Sequence, residues 1–126
     1  MIVIVDSSEI REGKLEELKA AMKGLAEFVE TNEPRPLAYD VYLGADSARV
    51  TVLQIHPDAA SAEFHMQVAA SAFPGFSDLL RLLHIDVYGR PSGALLERLR
   101  AKARMLGGAT LAVHELHAGF TRFGDR

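Results

Sequence analysis

Residues 37–70, LAYDVYLGADSARVTVLQIHPDAASAEFHMQVAA, predict a β-hairpin followed by a helix. Alternate side chains of 37–43 are apolar, and the turn residues at 44–47 lead into a second strand at 49–56. Pro57 ends this strand, and Asp58 is a candidate N-cap for a helix that runs to about Ala70. The same pattern allows the helix to resume after Pro74 and continue from Phe76 to Leu83.

Upstream of the hairpin, the chain begins with a predicted strand and a predicted helix. Residues 2–5, IVIV, form a short β-branched run that is typical of a strand buried on both faces, and Asp6 begins the polar segment that ends it. From Lys14 to about Thr31, apolar residues recur at steps of three and four, which predicts an amphipathic helix. Pro34 and Pro36 follow and stop the helix.

Downstream, two more strands and one helix are predicted. His84 to Tyr88 alternates like a strand, a helix follows Ser92 and ends at Gly107-Gly108, and residues 111–116 form a final strand. The order strand, helix, strand, strand, helix, strand is the split βαβ pattern of a ferredoxin-like α+β sandwich. We therefore expect one domain over residues 1–126, with residues 90–126 as a helix-and-strand extension.

Composition excludes several classes of protein. The 126 residues contain no cysteine, so disulfides and thiolate sites are ruled out. A net charge of -3 argues against nucleic acid as a partner, and no apolar run approaches the roughly 20 residues of a membrane helix. Without a secretion signal at the start, we expect a cytoplasmic protein.

The C-terminal segment differs in charge from the rest, since residues 90–126 carry 7 basic and 3 acidic side chains. This asymmetry suits a self-association contact or an anionic ligand, and it also suits an ordinary solvated helix face. On the former view, the basic residues of this helix recognise an anionic partner such as a carboxylated or phosphorylated ligand, and on the latter they form a solvated face; they are Arg98, Arg100, Lys102 and Arg104.

The predicted strands are apolar on both faces, although the helices of a ferredoxin-like fold cover only one. Residues 2–5 have no polar face, and strand 49–56 alternates Val50 and Val52 with Leu53 and Ile55. The economical solution is a second sheet packed face to face, which predicts a two-fold symmetric homodimer.

Among the five histidines, His65 is the most informative. His114 and His117 are three apart on a predicted strand and point to opposite faces, which argues against a shared metal. His56 and His84 lie at strand ends, where partly exposed polar residues are common. The neighbours of His65 on its helix face are all small or β-branched: Ser61, Ala62, Val68 and Ala69. They either leave a small-molecule cavity or let the helix pack closely, with the histidine bonded to a backbone carbonyl.

Residues 54–66, QIHPDAASAEFHM, followed by Ser71-Ala72-Phe73, resemble the antibiotic biosynthesis monooxygenase family of dimeric α+β barrels. The resemblance covers roughly residues 2–90 and centres on His65 and Phe73. Gln54 stands where the family usually has glutamate, and His56 where it usually has tryptophan.

This resemblance implies oxidation of quinols or polyphenols by O2 without cofactor or metal, in a cavity between sheet and helices. His65 would take the phenolic proton, and Asp6 would orient the site or merely cap a turn. The resemblance places six residues in contact with substrate: Tyr39, Gln54, His56, Phe64, Phe73 and Phe76. A non-catalytic ligand-binding or assembly module of the same fold is the alternative. Haem binding or degradation is a minor one, because Asp6 stands where the haem-degrading relatives have asparagine.

Overall fold

The computed structural model describes residues 1–123, so the last three residues of the predicted domain lie outside it. The described residues form five strands and four helices. They are β1 (Ile2–Ile10), α1 (Leu15–Asn32), β2 (Ala38–Leu43), β3 (Arg49–His56), α2 (Ala59–Ala69), α3 (Phe73–Phe76), β4 (Leu80–Tyr88), α4 (Gly93–Met105) and β5 (Thr110–His114).

All five strands form one sheet in the order β2-β3-β1-β4-β5. The first four pair antiparallel, as in a ferredoxin-like fold, and β5 joins β4 in parallel at the edge. The predicted fold class, with its appended helix and strand, is confirmed. The final strand is shorter than predicted, because β5 ends at His114 and Leu116 is 77% exposed.

Strand β1 continues to Ile10, whereas the sequence predicted its end at Val5. Polar residues weaken strand propensity, but β1 is central and pairs with β3 and β4 over nearly its whole length. Its buried side chains alternate, so Ile4, Asp6 and Ser8 face the helices. Asp6 is therefore a buried mid-strand residue and caps no turn.

The predicted helix from Phe76 to Leu83 is wrong. Helix α3 ends at Phe76, and β4 begins at Leu80. The pairing of β1 with β4 slips by one residue between Ser7 and Ser8, which leaves Leu83 as an extra residue in β4. This bulge shifts the alternation of buried side chains, so no single period-2 pattern runs through the strand.

Side-chain caps begin α2 and α4. Asp58 accepts a hydrogen bond from the backbone N–H of Ser61 at 2.9 Å, and Ser92 accepts one from Leu95 at 3.1 Å. Hydrogen bonds from Arg35 and from the Ser61 backbone hold the pKa of Asp58 below its usual value. Helix α4 packs on α2, α3 and the β4–β5 edge, so the C-terminal extension covers the same sheet face as the other helices.

The other sheet face carries no helix. At its centre lie four apolar side chains that are only partly buried: Val3, Val5, Leu53 and Ile55. More exposed tyrosines, Tyr42 and Tyr88, lie on the same face. We call this surface the open face. Within residues 1–123, no helix is long and apolar enough to cross a membrane.

Candidate active site

A buried histidine–carboxylate pair joins α2 to the end of α1. Nδ1 of His65 lies 2.9 Å and 3.0 Å from the two carboxylate oxygens of Glu33. His65 is 1% exposed and Glu33 is 4% exposed. An ionised carboxylate can only accept, so the Nδ1–H of His65 donates to it. Nε2 of His65 makes no hydrogen bond to any other described residue.

The end of α1 explains how a carboxylate comes to be buried here. Glu33 is the C-cap residue, its backbone is extended, and its N–H donates to the carbonyl of Val29. Pro34 follows and favours this extended conformation. A buried carboxylate is costly unless it is paired, and His65 supplies the pairing. The partner of His65 is thus a side chain 32 residues away and not the backbone carbonyl that the sequence suggested.

A second buried network lies beside this pair. Nδ1 of His56 is 2.8 Å from Oγ of Ser61, and Nε2 is 2.9 Å from Oε1 of Gln54. The ring of His56 lies 6.0 Å from that of His65. His56 is fully buried, so the expected partly exposed residue at a strand end is wrong. Burial, and next the proximity of His65, lower the pKa of His56 to about 4.

Tyr39 connects the His65–Glu33 pair to the space between sheet and helices. Its ring lies 5.2 Å from the ring of His65, tilted by 54°. Burial, followed by the negative charges of Asp6 and Glu33, raises the pKa of Tyr39 above its usual value. The phenol therefore stays neutral at physiological pH, and its hydroxyl makes no hydrogen bond to another described residue.

A small cavity lies on the helix-covered face of the sheet, with a volume of about 30 Å³. That volume admits about two water molecules. Its walls are mostly apolar, and four polar side chains face it: Asp6, Ser8, Tyr39 and Lys102. Ser8 is 3% exposed, and its hydroxyl bonds no other described residue and is open to the cavity.

An ion pair crosses the cavity wall from sheet to helix. Nζ of Lys102, from α4, lies 2.8 Å from Oδ2 of Asp6 in β1. The two side chains are 10% and 7% exposed. The same ammonium lies 5.1 Å from the centre of the Phe73 ring, within range of a cation–π interaction.

The structure divides the sequence-predicted site residues into three groups. Asp6, Tyr39, Phe73 and Phe76 line the cavity. His65, Gln54 and His56 belong to the buried polar networks, and none of them lines it. Phe64 is 47% exposed and lies outside both groups, so the structure does not support it as a cavity wall. The small side chains Ser61, Ala62 and Ala69 of α2 are buried, and none of them lines the cavity.

Two site residues were missed by sequence reasoning. In the sequence, Glu33 belongs to the segment that ends the first helix. Only the fold brings it to His65. Lys102 was grouped with the arginines of α4, although it alone of them lines the cavity. Its position gives a weak signal, since Lys102 lies three residues after the buried Leu99 and next to the buried Ala103 on the apolar stripe.

Larger clefts open on the surface. One, of about 1040 Å³, lies between residues 114–121 and the ends of β1 and β4. Another, of about 470 Å³, is a groove between α1 and β2, and Glu33 and Tyr39 are among its lining residues. Tyr39 therefore faces the groove as well as the cavity. No cluster of three or more His, Asp or Glu suited to a metal ion occurs within residues 1–123.

Comparison with known proteins gives structural neighbours only. No family profile matches the chain, and no curated protein does. MupZ from Pseudomonas fluorescens superposes with a TM-score of 0.74 and 21% identity over 96% of this chain and 93% of its own. A protein from Bacteroides thetaiotaomicron, called a putative antibiotic biosynthesis monooxygenase, gives a TM-score of 0.57 and 25% identity over 64% and 83%.

A protein from Nitrosomonas europaea with the same description gives a TM-score of 0.64 and 20% identity over 71% of this chain and 98% of its own. At sequence identities this low, the superpositions establish likeness of fold only. They cover most of the length of each neighbour. The chain therefore has the fold of the antibiotic biosynthesis monooxygenases, which confirms the resemblance noted in residues 54–73.

Proposed function

We propose that this protein is a monooxygenase that oxidises a quinol or a related phenol with O2, without a cofactor. The observation that carries the proposal is the buried Glu33–His65 pair, whose imidazole ring lies 5.2 Å from the ring of Tyr39, an aromatic wall of the cavity. A carboxylate on Nδ1 leaves the lone pair on Nε2, which is the arrangement that a general base requires.

The chemistry begins with the phenolic proton, which moves to Nε2 of His65. Glu33 stabilises the imidazolium that forms, because the two charges share a site without bulk water. The phenolate is electron-rich and passes one electron to O2. Recombination at a ring carbon forms a C–O bond, and loss of water then breaks the O–O and C–H bonds.

The atoms and electrons of this sequence balance. A hydroquinone plus O2 gives a hydroxyquinone plus water, so the ring loses four electrons and O2 gains four. One oxygen atom stays on the ring and the other leaves as water. The proton held by His65 returns to the departing oxygen, which regenerates the pair.

Access to His65 requires Tyr39 to move. The cavity of about 30 Å³ is far below the roughly 300 Å³ at which ligand pockets usually begin. Tyr39 is only partly buried and also lines the groove of about 470 Å³. Rotation of its ring into that groove joins the two spaces and uncovers the ring of His65, which it contacts at 5.2 Å between centroids.

Binding of a small ligand without turnover is the second candidate. It is favoured by His65 not lining the cavity and by the closed network of Gln54, His56 and Ser61, which leaves no free ring nitrogen on His56. A binder of this kind would take up a quinol saturably and consume no O2.

We also propose that a second copy of the chain covers the open face. Val3, Val5, Leu53 and Ile55 form an apolar centre, and a two-fold axis through it would pack that centre against itself. The Leu53→Asp variant should then sediment as a monomer where the wild type sediments as a dimer. Wild-type protein that is monomeric at micromolar concentration would reject the dimer. A cytoplasmic location stays part of the proposal on the sequence argument alone.

Oxygen uptake with a panel of hydroquinones tests the proposed reaction. The His65→Gln variant keeps an amide donor for Glu33 but lacks the base, so its rate should fall about 100-fold or more. His117→Asn, an exposed histidine of the C-terminal segment, is the matched control and should keep the wild-type rate. Equal rates in His65→Gln and wild type would reject the base. Saturable binding without uptake by the wild type would favour the second candidate.

A further inference from the structure

Among the basic side chains of α4, Lys102 alone is directed inward. Arg100 and Arg104 are exposed, and Arg98 does not line the cavity. Lys102 reaches over the ring of Phe73 to Asp6, and it is the only cationic side chain among the described residues that line this cavity. One positive charge of the C-terminal extension, that of Lys102, thus lies at the cavity wall.

Stability alone is a weak reason for a charge pair in this position. A buried ion pair loses hydration that its mutual attraction only partly repays, and apolar replacements are often as stable. Here the pair faces an open space, and only one of the three donors of Lys102 is used by Asp6. Two N–H groups therefore remain for another acceptor.

Ser8 gives an independent sign of a ligand at the same end of the cavity. It is 3% exposed and lines the cavity. Its hydroxyl bonds no other described residue, and since no fully buried polar side-chain atom of the described residues lacks a partner, this hydroxyl is open to the cavity. Its hydrogen bond must therefore come from inside the cavity, from water or from a ligand oxygen. A ligand oxygen that accepts from Lys102 would also lie within reach of the Ser8 side of the wall, because Asp6 and Ser8 point to the same face of β1.

We infer that the substrate is an aromatic carboxylate, whose anionic group binds Lys102 and Ser8 while its phenolic group lies at the Tyr39 end. The placement of the phenolic group at the Tyr39 end rests on the proposed function. Tyr39 and Ile4 both pair with Gln54, so they lie level with each other but two strands apart, and Asp6 lies two residues beyond Ile4. The Cα atoms of Tyr39 and Asp6 are therefore about 12 Å apart, from about 9.5 Å across the sheet and about 7 Å along the strand. Both side chains line the cavity between them, and a single substituted ring spans the remaining space once Tyr39 turns into the groove.

The charge of Asp6 makes the inference testable in two directions. Asp6 attracts Lys102 but repels a bound carboxylate, so the two residues have opposite effects on the affinity for an anion. Lys102→Met should weaken binding of the anion at least tenfold, whereas Asp6→Asn should strengthen it several-fold. A purely structural pair would give weaker binding in both variants.

Anaerobic calorimetry with 2,5-dihydroxybenzoate and its methyl ester isolates the contribution of the charge without requiring turnover. Wild type should bind the acid at least tenfold more tightly than the ester, and Lys102→Met should bind both alike. Lys102→Arg keeps a cation and should keep the preference, which separates loss of charge from loss of fold. Arg100→Gln, on the exposed side of α4, is the matched control.

Equal affinities for acid and ester in the wild type, no measurable binding of the acid, or a preference that survives Lys102→Met would each overturn the inference. Weaker binding of the acid by Asp6→Asn would do so too. A retained preference in a protein that consumes no O2 would reject the proposed reaction and leave the anion site standing. Oxidation of neutral quinols by a protein that binds acid and ester equally would reject the anion site and leave the proposed reaction standing.

Discussion

Acid should destabilise this protein through His56, and the size of the effect follows from its burial. In the unfolded chain this imidazole takes up a proton near pH 6.5, whereas its folded pKa is lowered to about 4 by loss of hydration and by the neighbouring His65. Between these values the unfolded state binds the proton and the folded state does not. Stability is therefore full above about pH 7 and falls as the pH is lowered through this window.

Linkage converts the difference in pKa into free energy. Each pH unit is equivalent to about 1.4 kcal/mol, so His56 alone should remove about 2 kcal/mol of unfolding free energy between pH 7.5 and pH 5. By pH 4 the loss should reach about 3 kcal/mol. Nε2–H of His56 donates to Oε1 of Gln54, so the added proton goes to Nδ1, where the Ser61 hydroxyl must turn from donor to acceptor.

Urea unfolding of the wild type and of His56→Gln, each at several pH values between 5 and 7.5, measures this contribution. The variant should be less stable at pH 7.5, because two buried partners lose their bonds. Its further loss on acidification should be smaller than that of the wild type by about 2 kcal/mol at pH 5. Carboxylates titrate in both proteins and cancel in the difference. Parallel pH dependences would show that His56 titrates normally in the folded state and would refute the reasoning.

The remaining predictions concern the framework of the site. Ser92→Ala should lower the unfolding free energy by about 1 kcal/mol in urea titrations, because it removes the N-cap of α4; an unchanged midpoint would contradict this. Gly89→Ala should cost roughly 1–3 kcal/mol, since φ is +121° and an added Cβ would lie 2.6 Å from the backbone oxygen of Met1; wild-type stability would mean that the strand end can shift. Ile85→Ala, fully buried, should cost about 2–5 kcal/mol, and the half-exposed Val113→Ala far less; similar losses would place the core elsewhere.

Local patterns predicted most of the fold. Helix α1 runs from Leu15 to Asn32, one residue from the prediction at each end, because its apolar spacing and the following prolines are local signals. The hairpin is equally local. Strand β4 was misjudged because its bulge is created by pairing with β1, which no window of the β4 sequence contains.

The candidate site was only half predictable for the same reason. His65 stands out by its small neighbours, but Glu33 is 32 residues away and Lys102 is 96 residues from Asp6. Such pairs depend on how α1, α2 and α4 cross the sheet. The sequence therefore singled out His65, the proposed base, together with Phe73 and Phe76, which line the cavity, but neither Glu33 nor Lys102.

Nitrogen NMR of the His65 ring tests the central claim most directly, since the proposed chemistry depends on which ring nitrogen holds the proton. In uniformly 15N-labelled protein at pH 7.5, long-range 1H–15N spectra should show Nδ1 protonated and Nε2 unprotonated, with Glu33→Gln as the variant that assigns the pair. A proton on Nε2, whether in the other tautomer or in a doubly protonated ring, would leave no base facing the substrate and would contradict the account.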